Sequence, residues 1–317
     1  MRIMYTDTDH PSLDIERGVI EGAGLSFTVT QCKTEDDVIA NCKDADILIN
    51  QYAPITARVM DNLPNFKMVV RYGVGVDNVE VAEAVKRGIV VCNVPDYGTN
   101  EVADQALALM MALVRKVVTV NEYTKNVDWD CTKAFPIQRL STLTVGILGF
   151  GRIGQAFAKR VHALGCNIIS CDHHLEPGQL APCGYVTGCT LDELIEQSDI
   201  ISIHCPPIKG QYMIDADAFK RMKKGIYIIN DARGGIIDED ALDEALDNGT
   251  VAGVALDCMR GEPVKPGNKL FRHPNMIVSP HMGWYSVQAA EDLKRKVAEQ
   301  AVKFAQTGTV DYPVYKN

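Results

Sequence analysis

Short apolar runs and stretches of helical period alternate along nearly the whole chain. In the first hundred residues the runs are 2–6, 26–30, 47–50, 68–71 and 89–93. Between them, 13–21, 36–42, 56–63 and 79–87 repeat apolar residues three and four positions apart, the period of an amphipathic helix. Such alternation predicts a parallel sheet covered by helices on both faces. A longer helical pattern spans 101–121, and a second alternating set continues to about residue 279. Within that set, Thr190 with Glu193 forms a capping-box signature, and Gly249 suits a helix C-terminus. Residues 285–306 read as one last helix, amphipathic and mixed in charge.

The sharpest local pattern is TVGILGFGRIGQAFAKRVHALGCNIISCD, residues 144–172. An apolar run (145–148) meets Gly149, Gly151 and Gly154 at G-x-G-x-x-G spacing. A helix-period segment follows, and then a second apolar run that ends on Asp172. In a strand–turn–helix–strand unit, Gly149 permits the tight turn and Gly151 lets backbone N–H groups approach a pyrophosphate. Gly154 lets the helix pack close on the strand, and the helix N-terminus turns its positive end toward the phosphates. Asp172 stands 18 residues beyond Gly154, where a carboxylate can accept from both ribose hydroxyls of an adenosine. The same carboxylate repels a 2′-phosphate, so the pattern predicts NAD rather than NADP. His173 and His174 read as solvated loop residues, since neutral imidazoles are poor phosphate clamps.

At 317 residues the chain is long enough for two domains, and 46% hydrophobic with 23% charged residues is a globular composition. A net charge of −9 and a pI near 5.3, with no Lys/Arg block, speak against nucleic acid. The longest apolar-looking stretch, 106–114, is far too short to span a bilayer. The N-terminus has no apolar segment of the signal-peptide kind, so a cytoplasmic location is expected. Ten cysteines are scattered from Cys32 to Cys258 without a C-x-x-C pair. Several, including Cys92, Cys171 and Cys205, lie in strand-like runs. The expectation is free, mostly buried thiols and no metal site.

Three segments could carry chemistry. In 228–235 (IINDARGG), Arg233 comes directly after an apolar run. A guanidinium at a strand end can bind a carboxylate bidentately while polarising an adjacent carbonyl. In 277–284 (IVSPHMGW), His281 is placed to transfer a proton. In 255–263 (ALDCMRGEP), Glu262 is the candidate to hold the other nitrogen of that imidazole and favour its charged form. Arg, Glu and His beside NAD suffice for hydride transfer to a 2-oxo acid: the guanidinium holds the carboxylate, and the imidazolium protonates the developing alkoxide.

These segments, with RYGVGVDNV (71–79) and NVPDYGTNEVAD (93–104), resemble the D-isomer-specific 2-hydroxyacid dehydrogenase family in the family's own order over nearly the whole chain. The resemblance implies an α/β fold of two doubly wound parallel-sheet domains. One is a Rossmann NAD-binding domain over 99–286; the other is a flavodoxin-like, discontinuous substrate domain made of 1–98 and 287–317. Two such domains facing each other would form a cleft. By resemblance Arg233, Glu262 and His281 are the catalytic trio, and Asp257 holds the nicotinamide carboxamide. Thr99, Arg152, Ile153, Cys205, Pro206, Asp231, Ala232, His281 and Gly283 join the glycines and Asp172 around the cofactor. The backbone of Val74 and Gly75 receives the substrate carboxylate, with Tyr52, Arg233, His281 and Trp284 also on the substrate side. The implied partners are a small 2-oxo or 2-hydroxy acid and a second copy of the chain, a homodimer built through the cofactor domains, with no nucleic acid and no membrane.

Within the family, phosphoglycerate dehydrogenase of serine synthesis is one alternative. The loop 50–56 (NQYAPIT) lacks the arginine common there, however, which argues against a phosphorylated substrate. The segment 281–286 (HMGWYS) resembles the C-terminal-binding-protein branch, NADH-sensing corepressors in which Trp and Tyr follow the catalytic His. With all three catalytic positions filled, the expectation is an enzyme. The Trp284 indole suits an apolar or sulfur-bearing substrate tail.

Overall fold

The computed structural model describes residues 1–126 and 129–315. The chain divides into two compact units, Met1–Gly98 with Ser286–Asn317, and Thr99–Tyr285. The first unit opens with β1 (Ile3–Tyr5), α1 (Asp14–Gly22), β2 (Phe27–Val29), α2 (Glu35–Asn41) and β3 (Ile47–Asn50). It continues through α3 (Ala57–Asn62), β4 (Met68–Arg71), α4 (Val81–Lys86) and β5 (Val90–Cys92). Its five strands are all parallel, in the order β2-β1-β3-β4-β5, the flavodoxin-like arrangement. Parallel neighbours need a crossover, which the helices supply. Every residue of β3 is buried, as a central strand covered on both faces must be.

The second unit contains α5 (Thr99–Val114), α6 (Val117–Lys125), β6 (Thr144–Leu148), α7 (Arg152–Ala163), β7 (Asn167–Cys171) and β8 (Thr187–Gly188). It goes on with α8 (Leu191–Gln197), β9 (Ile200–Ile203), α9 (Ala216–Arg221), β10 (Ile226–Asn230), α10 (Glu239–Asp247), β11 (Val251–Leu256) and β12 (Met276–Val278). The seven-stranded parallel sheet runs β12-β11-β10-β9-β6-β7-β8. Strand order therefore reverses between β6 and β9, the switch point where open α/β sheets bind ligands. Two apolar layers cover this sheet. One is built on Ile201, Ile228 and Leu242, the other on Met110, Ile147 and Phe157. The chain then returns to the first unit as α11 (Val287–Thr307), which packs on α1 and ends at Gly308 with φ 73°.

The pattern over 101–121 predicts one helix, and the structure makes two. Lys116 adopts φ 54°, a left-handed conformation that turns the chain between α5 and α6. α5 buries Ala103, Ala106, Met110 and Leu113, whereas α6 buries no side chain. Periodicity runs through the break because Val117 and Val118 are apolar, but both are exposed. The Thr190–Glu193 capping box forms at the start of α8. Gly249, with φ 74°, follows the end of α10. All ten cysteines are free, with Cys131 and Cys183 exposed and the others buried or half-buried. Among the described residues no helix is long and apolar enough to cross a membrane.

Candidate active site

The glycine turn at the end of β6 is shaped by contacts that leave no room for a side chain. Gly149 has φ 96°, and a Cβ there would fall 2.8 Å from the Cβ of Cys205 and the carbonyl of His204 at the end of β9. A methyl on Gly154 would run into the Gly149 carbonyl, so α7 lies directly on the turn. Gly151 differs. It caps α7 without a side-chain hydrogen bond, and among the described residues nothing lies within 4 Å of where its Cβ would be. The first-turn residues Arg152 and Ile153 are thus left open toward an anion, as a pyrophosphate requires.

Just past β7, Asp172 accepts from the N–H groups of Phe150 (2.7 Å) and His174 (2.9 Å). These bonds hold the carboxylate beside the glycine turn, and each oxygen keeps a lone pair for a hydroxyl. A pocket of about 350 Å³ opens against Asp172, with Leu175 and Tyr185 in its wall. The open cradle, the placed acid and the pocket together fit a dinucleotide.

The three catalytic candidates lie at the ends of neighbouring strands of the same sheet. At the end of β10, the Asn230 side chain donates to the Arg233 carbonyl (2.8 Å) and accepts from the Ala232 N–H (3.0 Å), which ties the turn that presents Arg233. One Arg233 Nη donates to the Ala232 carbonyl at 2.7 Å. A methyl on Gly234 would collide with the Met259 backbone, so this turn rests directly on the loop that carries Glu262. Glu262 accepts from the Met259 N–H (2.7 Å) with one oxygen and meets His281 Nδ1 with the other at 2.6 Å. An ionised carboxylate only accepts, so the proton of this bond is assigned to Nδ1, leaving Nε2 to give or take another. Burial pushes the Glu262 carboxyl up. The bonds from His281 and Met259, with the charges of His281 and Arg233, outweigh that and hold it below the usual glutamate range.

His281 has φ 53°, a conformation rare for a residue with a Cβ. Asp257, just past β11, enforces it. Its carbonyl accepts the His281 N–H (2.9 Å), and its carboxylate accepts from the Ser279 hydroxyl (2.6 Å), the Met282 N–H (3.0 Å) and the Gly283 N–H (2.8 Å). Asp257 therefore builds the turn that aims His281, a role that sequence reasoning did not assign to it. Asn230 and Gly234 were missed altogether. Their only signal is position, an asparagine at a strand end and a glycine after the arginine.

Asp231 is buried, and among the described residues neither of its carboxyl oxygens has a partner. Burial first, and then the Asp257 charge, push its carboxyl up to about 8, so it holds a proton at neutral pH. A buried polar group without a protein partner calls for an explanation, and contact with a bound ligand is one. Cys205 follows β9 half-buried, its thiol pushed up to about 12 by burial, and Pro206 follows it. His204 is half-buried, and burial pushes its imidazole down to about 3; its ring meets the Ser202 hydroxyl at 2.9 Å. His173 and His174 are exposed, and Thr99 opens α5.

In the first unit, buried Asp7 pins the loop after β3 by accepting the Gln51, Tyr52 and Ala53 N–H groups. The Tyr52 ring is exposed, and its hydroxyl donates to Asp9 at 3.0 Å. Burial and Asp9 push that hydroxyl up, and the Arg71 guanidinium partly opposes them. An arginine thus stands near the loop that lacks one of its own. Val74 is exposed, and its carbonyl accepts from Asn93 at 2.7 Å, with Gly75 next to it. In the second unit the half-buried Trp284 meets Tyr285 edge-on, ring centres 5.5 Å apart.

Residues 107–283 match the family described as D-isomer specific 2-hydroxyacid dehydrogenase, NAD binding domain. The chain is 37% identical to D-3-phosphoglycerate dehydrogenase of Bacillus subtilis over 82% of its own length, but it spans only about half (49%) of that protein. It is 33% identical to hydroxypyruvate reductase of Blautia hydrogenotrophica, covering 89% of this chain and 87% of that one. The crystal structure of a glyoxylate reductase from Paecilomyes thermophila superposes with a TM-score of 0.89 at 25% identity, over 99% of this chain and 98% of the other.

Proposed function

The chain belongs to the D-isomer-specific 2-hydroxyacid dehydrogenase family, and from that premise we propose that it is an NAD-dependent dehydrogenase interconverting small 2-oxo and D-2-hydroxy acids. The observation that carries this is the 2.6 Å bond between His281 Nδ1 and Glu262, on the sheet that also bears the open glycine turn. Arg233 takes the substrate carboxylate and polarises the 2-oxo group. Nε2 of His281 gives its proton to the carbonyl oxygen as the alcohol forms, and takes it back in oxidation. Glu262 orients the ring through Nδ1 and stabilises its charged form. Bound NADH supplies the hydride. Its adenosine ribose is assigned to Asp172, its phosphates to the Gly151–Arg152–Ile153 turn with Thr99, and its nicotinamide end to Cys205, Pro206, Asp231, Ala232, Asp257 and Gly283. Asp172 favours NAD, because a 2′-phosphate would face its charge.

The substrate class we favour is an unphosphorylated 2-oxo acid with a medium apolar or thioether tail. Trp284 and the exposed Met282 support it, and Tyr52, Val74 and Gly75 are the first unit's candidates for the substrate. Arg71, whose charge reaches Tyr52, favours a second reading, 3-phosphohydroxypyruvate, since a phosphate seeks guanidinium groups. The Trp284–Tyr285 pair keeps the corepressor-like branch as the sequence kinship of the site. Steady-state reduction of a panel of 2-oxo acids with NADH decides. Apolar-tailed acids are expected to lead in kcat/KM, and Trp284→Ala to cost them about 1–3 kcal/mol of transition-state binding while sparing glyoxylate. If 3-phosphohydroxypyruvate leads by about tenfold, a margin of roughly 1.4 kcal/mol, the phosphorylated reading stands instead.

We also propose a homodimer formed through the second unit. Val117, Val118, Tyr123, Trp129 and Phe135 are all exposed there, Trp129 at 90%. A run of large apolar side chains left in water is a surface for a partner, and a two-fold axis would let the patch pair with itself.

A further inference from the structure

Cys258 follows Asp257 at the end of β11, and its side chain is 1% exposed. Its sulfur, a Glu262 oxygen and a His281 ring nitrogen all lie within 4.8 Å of one another. Among the described residues this is the single group of three or more such ligand atoms gathered so closely. We propose that Cys258, Glu262 and His281 form a binding site for a thiophilic divalent cation, Zn²⁺ foremost, whose occupation switches the active site off.

Sulfur, imidazole nitrogen and carboxylate oxygen are the donor types that Zn²⁺ takes, with bonds of about 2.0–2.3 Å in a tetrahedron. Ligand atoms around such an ion stand roughly 3.3–3.7 Å apart, so the trio rearranges around it with shifts of about an ångström, the 2.6 Å Glu262–His281 pair moving apart. Glu262 and His281 can move that far, since their side chains are 34% and 43% exposed, and they also give the ion its way in from solvent. On coordination the thiol releases its proton to solvent and the sulfur–metal bond takes its place. Burial, reinforced by the Glu262 charge, pushes the Cys258 thiol up, which disfavours a bare thiolate. A dication reverses that preference, because thiolate and carboxylate together cancel its charge. The Arg233 guanidinium is near enough to act on both Cys258 and Glu262, and it opposes the ion. This selects a metal that bonds sulfur covalently over Mg²⁺ or Ca²⁺, which bind by charge alone.

A metal here captures the proton relay. Taken through Nδ1, it breaks the bond from His281 to Glu262; taken through Nε2, it caps the atom that carries the proton. This consequence rests on the dehydrogenase reading, whereas the binding does not. The sequence concealed the site because its ligands lie on two separate strand-end loops, 19 residues apart from Glu262 to His281.

The test uses the full chain with the exposed Cys131 and Cys183 changed to Ser, so that a thiolate–metal band reports on a buried thiol. Titration with Co²⁺ in the absence of cofactor is expected to give a near-ultraviolet thiolate-to-metal absorption saturating at one equivalent. Cys258→Val, which keeps an apolar side chain in the buried position, and Cys258→Ser should both lose it. Zn²⁺ should inhibit 2-oxo acid reduction reversibly, with EDTA restoring the rate. Cys258→Val should need at least about tenfold more Zn²⁺ for the same inhibition, with its metal-free rate little changed. Absence of the band, a band that survives both substitutions, or equal Zn²⁺ sensitivity in parent and variants overturns the proposal. Should no 2-oxo acid be turned over at all, the dehydrogenase reading fails, and the Co²⁺ spectrum still decides on the site.

Discussion

At the residue scale, two carboxyl groups in the second unit carry opposite assignments. Glu262, held below the usual range, stays ionised through neutral pH and favours the charged imidazole beside it. Reduction consumes that charged form, so Glu262→Gln is expected to move the falling alkaline limb of the reduction rate toward lower pH. A limb that does not move would mean the two side chains are not coupled in turnover. Asp231 is the reverse case. Its carboxyl, pushed up to about 8, ionises near 4 in the unfolded chain. Below that range both states hold the proton and the group costs nothing. As pH rises from roughly 4 to 8, the unfolded chain gives up its proton first, so folding stability falls and then levels off. Asp231→Asn cannot ionise. Its unfolding free energy relative to the parent, read from denaturant melts, should therefore climb from pH 5 to pH 8 by an amount on the order of a few kcal/mol. A gap of constant size would show that the carboxyl is not held neutral.

At the element scale, the turn between β6 and α7 separates what glycine does for the fold from what it does for the ligand. The Cβ of an alanine at Gly154 would run into the Gly149 carbonyl, whereas at Gly151 it meets open space on a backbone of φ −70°. Gly154→Ala should cost about 1–3 kcal/mol of stability by overpacking, and weaken NADH binding with it. Gly151→Ala should leave the melting temperature unchanged while raising the Kd for NADH, because the new methyl occupies the space meant for the phosphates. Equal melting losses in both variants would contradict the assignment of that open space. Most elements were readable because their apolar period is strong; β3 is a buried run of four residues and β4 a buried run of three ending on half-buried Arg71, both outlined by the sequence pattern. The break between α5 and α6 was not readable. Val117 and Val118 continue the apolar period, and the left-handed turn at Lys116 has neither glycine nor proline to announce it.

At the scale of the whole molecule, the apolar patch around α6 and Trp129 needs an occupant. A second copy is expected to cover it. With Val118→Glu and Trp129→Glu together, light scattering after gel filtration should give one chain, 34.8 kDa, where the parent gives about twice that mass. A parent that already runs at a single chain's mass would remove the dimer. Neither substitution touches the glycine turn or the Arg233, Glu262 and His281 positions, so NADH binding should persist in the variant.

By itself the sequence determined the α/β class, the family and the dinucleotide turn. Each is written in local order: strand and helix periods repeat within a few residues, and G-x-G-x-x-G with its acid lies inside one strand–turn–helix–strand unit. The pairing of Glu262 with His281 was a candidate that spacing alone could only suggest. Tertiary structure decided how the chemistry is held. Asp257 became the builder of the turn that aims His281, and Asn230 the clamp behind Arg233. Asp231 became a buried acid without a partner, Arg71 a charge beside Tyr52, and Cys258 a third ligand atom next to the proton relay. All of these depend on which strand ends become neighbours. That follows from the order β12-β11-β10-β9-β6, which burial and crossover connections select over the whole sheet and which no short stretch of sequence records.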